Sequence, residues 1–367
     1  METVEQPSNE RHAIAEGHDF LLIVAATEER GGNIHHVKKL HEFEVSKKVL
    51  GQQQYFQRVF TPGFADTGKP SYLVKGDDPT GWKVWLQALH GCTDQNTFRV
   101  TIDTVWHVLL IAHKYQFDPL CREIKAWFTK WYKQHGPFDI DQHAMLLYPC
   151  YTFHDAQAFK ETTKALVYNV PGHITEQKPH CIQETTFRLD QRIIGTLNSA
   201  RGRLRTILHS GLYDPIHELL NDAICAEKKN VLWAYLTALE RTNAWPLEIH
   251  GPKKGIMTLL SRIEGLQYID PHPNKDPCTD KSCGMDFRQV AKNAAARTKR
   301  YFDGLCLDCM NHSKSGDDDK DYWHHADRLD NYDEDCRIQH GEPTWYFSFM
   351  GRKAKMDLFQ RNRRRRA

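Results

Sequence analysis

"HEFEVSKKVLGQQQYFQRVF", residues 41–60, changes its period part-way along. In "HEFEV" polar and apolar residues alternate, so His41–Val45 reads as a strand with one buried face. Ser46 then stands where a helix N-cap stands, ahead of the short helix "KKVLGQQ". In "QYFQRVF", Tyr55, Phe56, Val59 and Phe60 fall on one side of a second helix. A strand that feeds two short helices predicts a small α+β domain.

The neighbouring segments extend this pattern in both directions. Upstream, "DFLLIVAA" (Asp19–Ala26) is short, apolar and branched, as a buried strand is. The polar, Gly-rich "TEERGGNIHHVKK" between the two strands reads as a turn carrying a short insertion. Downstream, Tyr72–Lys75 is a third strand candidate, and three helices follow. "TGWKVWLQALHG" places Trp82, Trp85, Leu86 and Leu89 at helical spacing, and "TVWHVLLIAHKYQF" is mostly apolar, with His107 and His113 read as core histidines. In "DPLCREIKAWFTKWYK", Asp118 is placed to cap, Pro119 suits the first turn, and Leu120, Ile124, Trp127, Phe128 and Trp131 share a face.

These residues resemble the BTB/POZ domain over about a third of the chain. The resemblance is carried by "DFLLIV", "FEVSKKVL", "YFQRVF", "WLQALHG" and "VLLIAHKYQFDPL". In that family a strand pair leads into a helical pair, and the signature positions here are Val45–Leu50, Tyr55–Phe56 and Ala112–Tyr115. Many members have histidine where this chain has Ser46, and serine where it has Gln54. The resemblance implies protein–protein interaction, with self-association (a homodimer) through the first helices. It also raises the role some members have as substrate adaptors of cullin-type ubiquitin ligases. The BTB-like start, helical middle and Cys-rich end together resemble a group of fungal BTB proteins.

The chain has 367 residues, 40% hydrophobic and 26% charged, with a formal net charge of +2. That is ordinary for a folded protein of two or three domains, and it gives no global signal of nucleic-acid binding. Met1–Asn9 is polar and resembles no secretory signal, and the longest apolar run, Phe20–Ala26, is far short of the roughly 20 residues a membrane span needs. A soluble, intracellular protein in cytoplasm or nucleus is expected, its cysteines reduced unless metal-bound. The sequon Asn311–Ser313 is then coincidence.

The expected organisation is a disordered tail over 1–17, a BTB/POZ-like domain over 18–135 and an all-helical extension over 138–269. A Cys-rich, zinc-binding module over 270–345 and a basic tail over 346–367 follow. In the helical block, Leu189, Ile193, Leu197, Ala200, Leu204, Ile207 and Leu208 follow one another at spacings of 4, 4, 3, 4, 3 and 1, and prolines 171, 179, 215, 246 and 252 punctuate the segments.

Five of ten cysteines follow residue 270: Cys278, Cys283, Cys306, Cys309 and Cys336. Structural zinc takes four thiolate or imidazole ligands, commonly from closely spaced pairs. A set of Cys278, Cys283, Cys306 and Cys309 would have to bridge a helix of about 18 residues, roughly 27 Å long. The preferred set is therefore Cys306, Cys309, Cys336 and His340, C-x2-C then C-x3-H across a polar spacer, with His312 as a substitute ligand. Cys278 and Cys283 are then ordinary thiols, or part of a second site with His272. Gly304 reads as the stop of the helix before Cys306. A redox role for the CxxC pair would need a helix start near a βαβ unit, and the pair follows a helix end.

No HExxH, GxSxG, P-loop or dinucleotide-binding glycine pattern is present, so no catalytic residue is named and a non-enzymatic protein is expected. The acidic run Asp317–Asp335 lacks the spaced ligands of a calcium loop. The arginines at 361 and 363–366 raise a nuclear, nucleic-acid-binding alternative, which the acidic run beside the Cys-rich module argues against.

Overall fold

The computed structural model describes residues 8–30, 34–62, 68–272, 280, 282–312 and 337–338. The chain divides into two compact units. The first comprises Met1–Asp155 with Gln177–Arg188, and the second Ala156–Glu176 with Leu189–Ala367.

The first unit holds a four-stranded sheet ordered β1-β3-β2-β4, from β1 (Ser8–Ala13), β2 (Phe20–Arg30), β3 (Ile34–Val45) and β4 (Ser71–Lys75). β2 and β3 pair antiparallel with a register shift at Ala26/Thr27, while β1 lies parallel to β3 and β4 parallel to β2. Both central strands run well past the expected ends, so most of the segment read as an inserted turn is paired sheet. Its length in polar residues hid the strand continuation.

Residues 1–17 are not wholly a tail: Ser8–Ala13 is the edge strand β1. An edge strand pairs on one side only and tolerates charge, so "SNERHA" carries little apolar signal. Its pairing is supported by Arg11 Nε on Glu42 at 2.9 Å.

Between the strands lie α1 (Lys47–Leu50) and α2 (Gln54–Phe60), then α3 (Pro79–Leu89), α4 (Ile102–Tyr115), α5 (Arg122–His135) and α6 (Ile140–Thr152). Ser46 does occupy the N-cap of α1, but its side chain makes no cap bond. The Asp19 carboxylate accepts the Lys47 N–H at 2.6 Å instead. α5 starts after Cys121, later than the Asp118–Pro119 pair suggested, because Asp118 turns its carboxylate onto the Leu120 N–H at 2.8 Å. Ile124, Trp127, Phe128 and Trp131 form its buried face, whereas Leu120 is exposed. His107 is half-buried and His113 exposed, its ring edge on Phe187, so His113 is not a core residue.

The core is rich in tryptophan, and each indole N–H finds an acceptor, as buried polar groups must. Trp85 donates to the Val108 carbonyl, Trp127 to that of Thr97, Trp131 to that of Val100, Trp106 to that of Met145 and Trp82 to Asp77. Tyr115 and Lys114 complete the shell of Asp77, at 2.5 and 2.6 Å. The first unit thus extends past residue 138: α6 belongs to it, as does the stretch 177–188, whose Phe187 meets Trp106 and Tyr148.

The second unit is helical: α7 (Ala156–Asn169), α8 (Gln191–Asn221), α9 (Lys228–Arg241), α10 (Leu247–His250), α11 (Ile256–Glu264), α12 (Phe287–Lys299) and α13 (Leu307–His312). The expected all-helical block is interrupted, since residues 170–190 form no helix. The apolar repeat from Leu189 to Leu208 is buried at every position. Pro215 does not punctuate; it lies inside α8. α8 and α12 pack closely at Gly211, where a β-carbon would stand 2.7 Å from that of Ala294. Tyr235 stacks on Phe287 at 4.3 Å and donates to the Leu212 carbonyl at 3.0 Å. No described helix is long and apolar enough to cross a membrane.

Helix α12 ends at Lys299, five residues before Gly304. Gly304 is therefore not its C-terminal stop. Gly304 has φ +102°, and a β-carbon there would collide with the Lys160 carbonyl of α7.

Candidate metal centre

Three segments of the second unit meet around one carboxylate. Cys225 lies between α8 and α9, His272 follows α11, and Cys283 precedes α12. Asp280 Oδ2 accepts the N–H of Ile224 at 2.7 Å and of Cys225 at 3.0 Å. Its Oδ1 accepts the N–H of Ser282 at 3.0 Å and of Cys283 at 3.3 Å. One side chain thus fixes the backbone under both cysteines. Burial pushes the Asp280 carboxyl up, but these N–H donors outweigh it and hold it below its ordinary value.

His272 is oriented from its other side. Its Nδ1 donates to Asp270 Oδ1 at 2.5 Å, and its backbone N–H reaches the same oxygen at 3.1 Å. That bond raises the imidazole pKa, with a further contribution from Cys225. It also leaves Nε2 aimed at the two sulfurs, Cys283 Sγ at 3.4 Å and Cys225 Sγ at 3.6 Å.

All three ligand atoms lie within 4.8 Å of one another. Around a tetrahedral zinc with ordinary Zn–S and Zn–N bonds, a sulfur and a nitrogen are about 3.6 Å apart. The observed separations of 3.4 and 3.6 Å match that edge. A histidine whose far nitrogen donates to a carboxylate is the usual outer arrangement of a bound metal, since it fixes the tautomer and raises ligand basicity. Two sulfurs and an imidazole select zinc over magnesium or calcium. The residues present therefore fit such an ion.

A second group, Glu10, His12 and His41, also clusters within 4.8 Å, on β1 and β3. Here the carboxylate already carries the Lys39 ammonium, and the two imidazoles bond each other at 3.2 Å. Burial lowers both histidine pKa values. This group is satisfied without an ion and is the poorer metal site.

No protein-family model matches the chain, and neither a curated protein nor a solved structure is significantly similar to it.

The site differs from the preferred sequence set. Cys306 is fully buried, just ahead of α13. Cys309 lies in α13, but its side chain, and Cys336 and His340 altogether, are outside the described residues, as is Cys278. His312 ends α13, its side chain likewise undescribed. Cys283 and His272 do come together, as the alternative of a second site required, and Cys283 is not an isolated thiol. Cys225 was missed. It is separated from His272 by 47 positions, so no close Cys/His spacing signals it. Its one hint is a cysteine opening the polar stretch "CAEKKN", which leads into α9.

Proposed function

We propose that the chain is a non-enzymatic protein–protein interaction protein of BTB type, whose helical second unit is held by structural zinc. The observation that carries the interaction reading is the convergence of the signature residues into one core. Val45, Leu50 and Phe56 are fully buried, and the Tyr55 ring stands 5.0 Å from that of Tyr115. A strand pair, β2–β3, also leads directly into the helical pair α1–α2, as the resemblance requires. Such a core supports the fold that presents a partner surface; no catalytic residue enters the reading. Self-association through the first helices goes with it. Light scattering on the eluting full chain at micromolar concentration tests this, with twice the chain mass expected. A strictly monomeric chain overturns self-association, and capture of a cullin would favour the adaptor role. Salt-sensitive binding to DNA or RNA would favour the nuclear alternative.

Zinc is assigned to Cys225, His272 and Cys283, with Asp270 and Asp280 behind them. In sequence, Cys278 offers a fourth ligand at zinc-pair spacing from Cys283. A second zinc at Cys306, Cys309, Cys336 and His340 is favoured by one contact. Arg337, the residue after Cys336, donates its backbone N–H to Asp308 at 3.0 Å and its guanidinium at 2.7 Å. Asp308 stands between Cys306 and Cys309. Metal analysis of purified protein separates the two sites. Cys283→Ser is expected to remove one equivalent of zinc, and Cys309→Ser or Cys336→Ser the other. Wild-type zinc content in Cys225→Ser and Cys283→Ser together would remove the first assignment.

A further inference from the structure

Arg201 and Arg205 lie one turn apart on α8, and Arg201 is only 4% exposed. Both guanidiniums reach the Gly251 carbonyl, Arg201 Nη2 at 3.5 Å and Arg205 Nη2 closer still. That one neutral oxygen is a poor return for one buried and one half-buried cation. The Nε of each is buried and without a hydrogen-bond partner. Among the described residues no carboxylate pairs with either: burial, and for Arg201 the Arg205 charge, are what act on them. Burial first, then Arg205, brings Arg201 down to about 10.

Taking a guanidinium from water is costly unless a counter-charge answers it. Two like charges one turn apart repel as well. The surroundings add cations. Gly251 opens the loop Gly251–Gly255, "GPKKG", after His250. Lys254 Nζ donates to the Asn243 carbonyl at 2.7 Å and lies 3.3 Å from His250 Nδ1. Arg262 Nη1 reaches the same Asn243 carbonyl at 2.9 Å. Burial lowers the His250 pKa, and Lys254, Arg262 and Lys253 lower it further.

We propose that Arg201, Arg205 and the 250–255 loop form a binding site for a multiply charged, phosphate-bearing anion. Two unfilled guanidinium Nε–H donors match the oxygens of a phosphoryl group, which arginine forks bind in pairs. The rim of exposed Lys253 and Arg262 and half-buried Lys254 answers the further charges that a single carboxylate lacks. The two arginines supply position, and the lysines supply long-range attraction.

Calorimetric titration of the full chain with tripolyphosphate, at low salt, tests this. One equivalent is expected to bind. Arg205→Gln and Arg201→Gln should each weaken binding roughly tenfold or more, the worth of a lost charge-assisted bond pair. Should Arg201→Gln fail to fold, Lys253→Gln/Lys254→Gln lies on the surface and should still lower affinity severalfold. Arginine Nε–H resonances of the wild-type chain should shift on titration. Replacing Arg363–Arg366 by serine should leave binding intact. Three results would overturn the site: no binding, binding lost with the tail arginines but kept in the Arg205 and Lys253/Lys254 variants, or citrate binding as tightly as tripolyphosphate. The last would assign the site to carboxylates, such as those of this chain's own Asp317–Asp335 run.

Discussion

A β-carbon at position 304 would collide with the Lys160 carbonyl, on a backbone already at φ +102°. Two penalties therefore fall on one substitution: left-handed backbone and a contact with main chain that cannot step aside. Gly304→Ala is expected to destabilise the second unit by about 2 kcal/mol or more. Urea unfolding followed by a probe within that unit checks it; an unchanged midpoint would contradict the close approach. His90 offers a second test at this scale. Its Nε2 accepts the Ser46 N–H at 3.0 Å and its Nδ1 donates to the Leu86 carbonyl at 2.7 Å, so the folded ring is neutral. Burial holds its pKa below the ordinary value. The unfolded ring, at about 6.5, takes its proton first on acidification. The stability His90 contributes is thus complete above that value and is lost as pH falls through its depressed folded value. His90→Gln, which can still accept from Ser46 without titrating, should flatten the loss of first-unit stability below pH about 6.5. Melting temperatures of both chains across that range measure it.

At the scale of elements, periodicity was a good guide wherever an element buries one face. The α8 stripe from Leu189 to Leu208 and the α5 face of Ile124, Trp127, Phe128 and Trp131 were legible for that reason. β1 was not, because "SNERHA" sits at the edge of the sheet and buries little of itself. The end of α12 was also misread, since Gly304 bears the φ of a helix stop while serving a contact with α7. The candidate metal centre was half legible. His272 and Cys283 are neighbours in sequence, but Cys225 joins them through a loop between α8 and α9, and tertiary folding alone sets that approach. Asp280 makes the approach durable by holding four backbone N–H groups across the two cysteine segments. Asp280→Ala keeps every ligand yet removes this brace. Zinc affinity is expected to fall by about 10–100-fold, as for other outer partners of a metal site. Competition with a chromophoric chelator reads this, and an affinity equal to wild type would show that the cysteines hold their places unaided.

For the whole molecule, two compact units imply two responses. The first owes its stability to a tryptophan-rich core and contains no cysteine–histidine cluster among its described residues. The second carries Cys225, His272 and Cys283. A strong chelator should lower the melting transition of the second unit and leave that of the first in place. Calorimetry of the full chain, with and without chelator, distinguishes them; equal shifts in both would contradict the assignment of metal to the second unit alone. The ligands stand 47 and 11 positions apart in the chain, so an unfolded chain offers no assembled site. Binding free energy then appears as folding free energy. At free zinc a hundredfold above the dissociation constant this is about 2.7 kcal/mol, and each tenfold drop in zinc removes about 1.4 kcal/mol until the site empties. The survival of the second unit against proteases would accordingly follow the zinc buffering of its surroundings, making the amount of intact protein a gauge of metal supply.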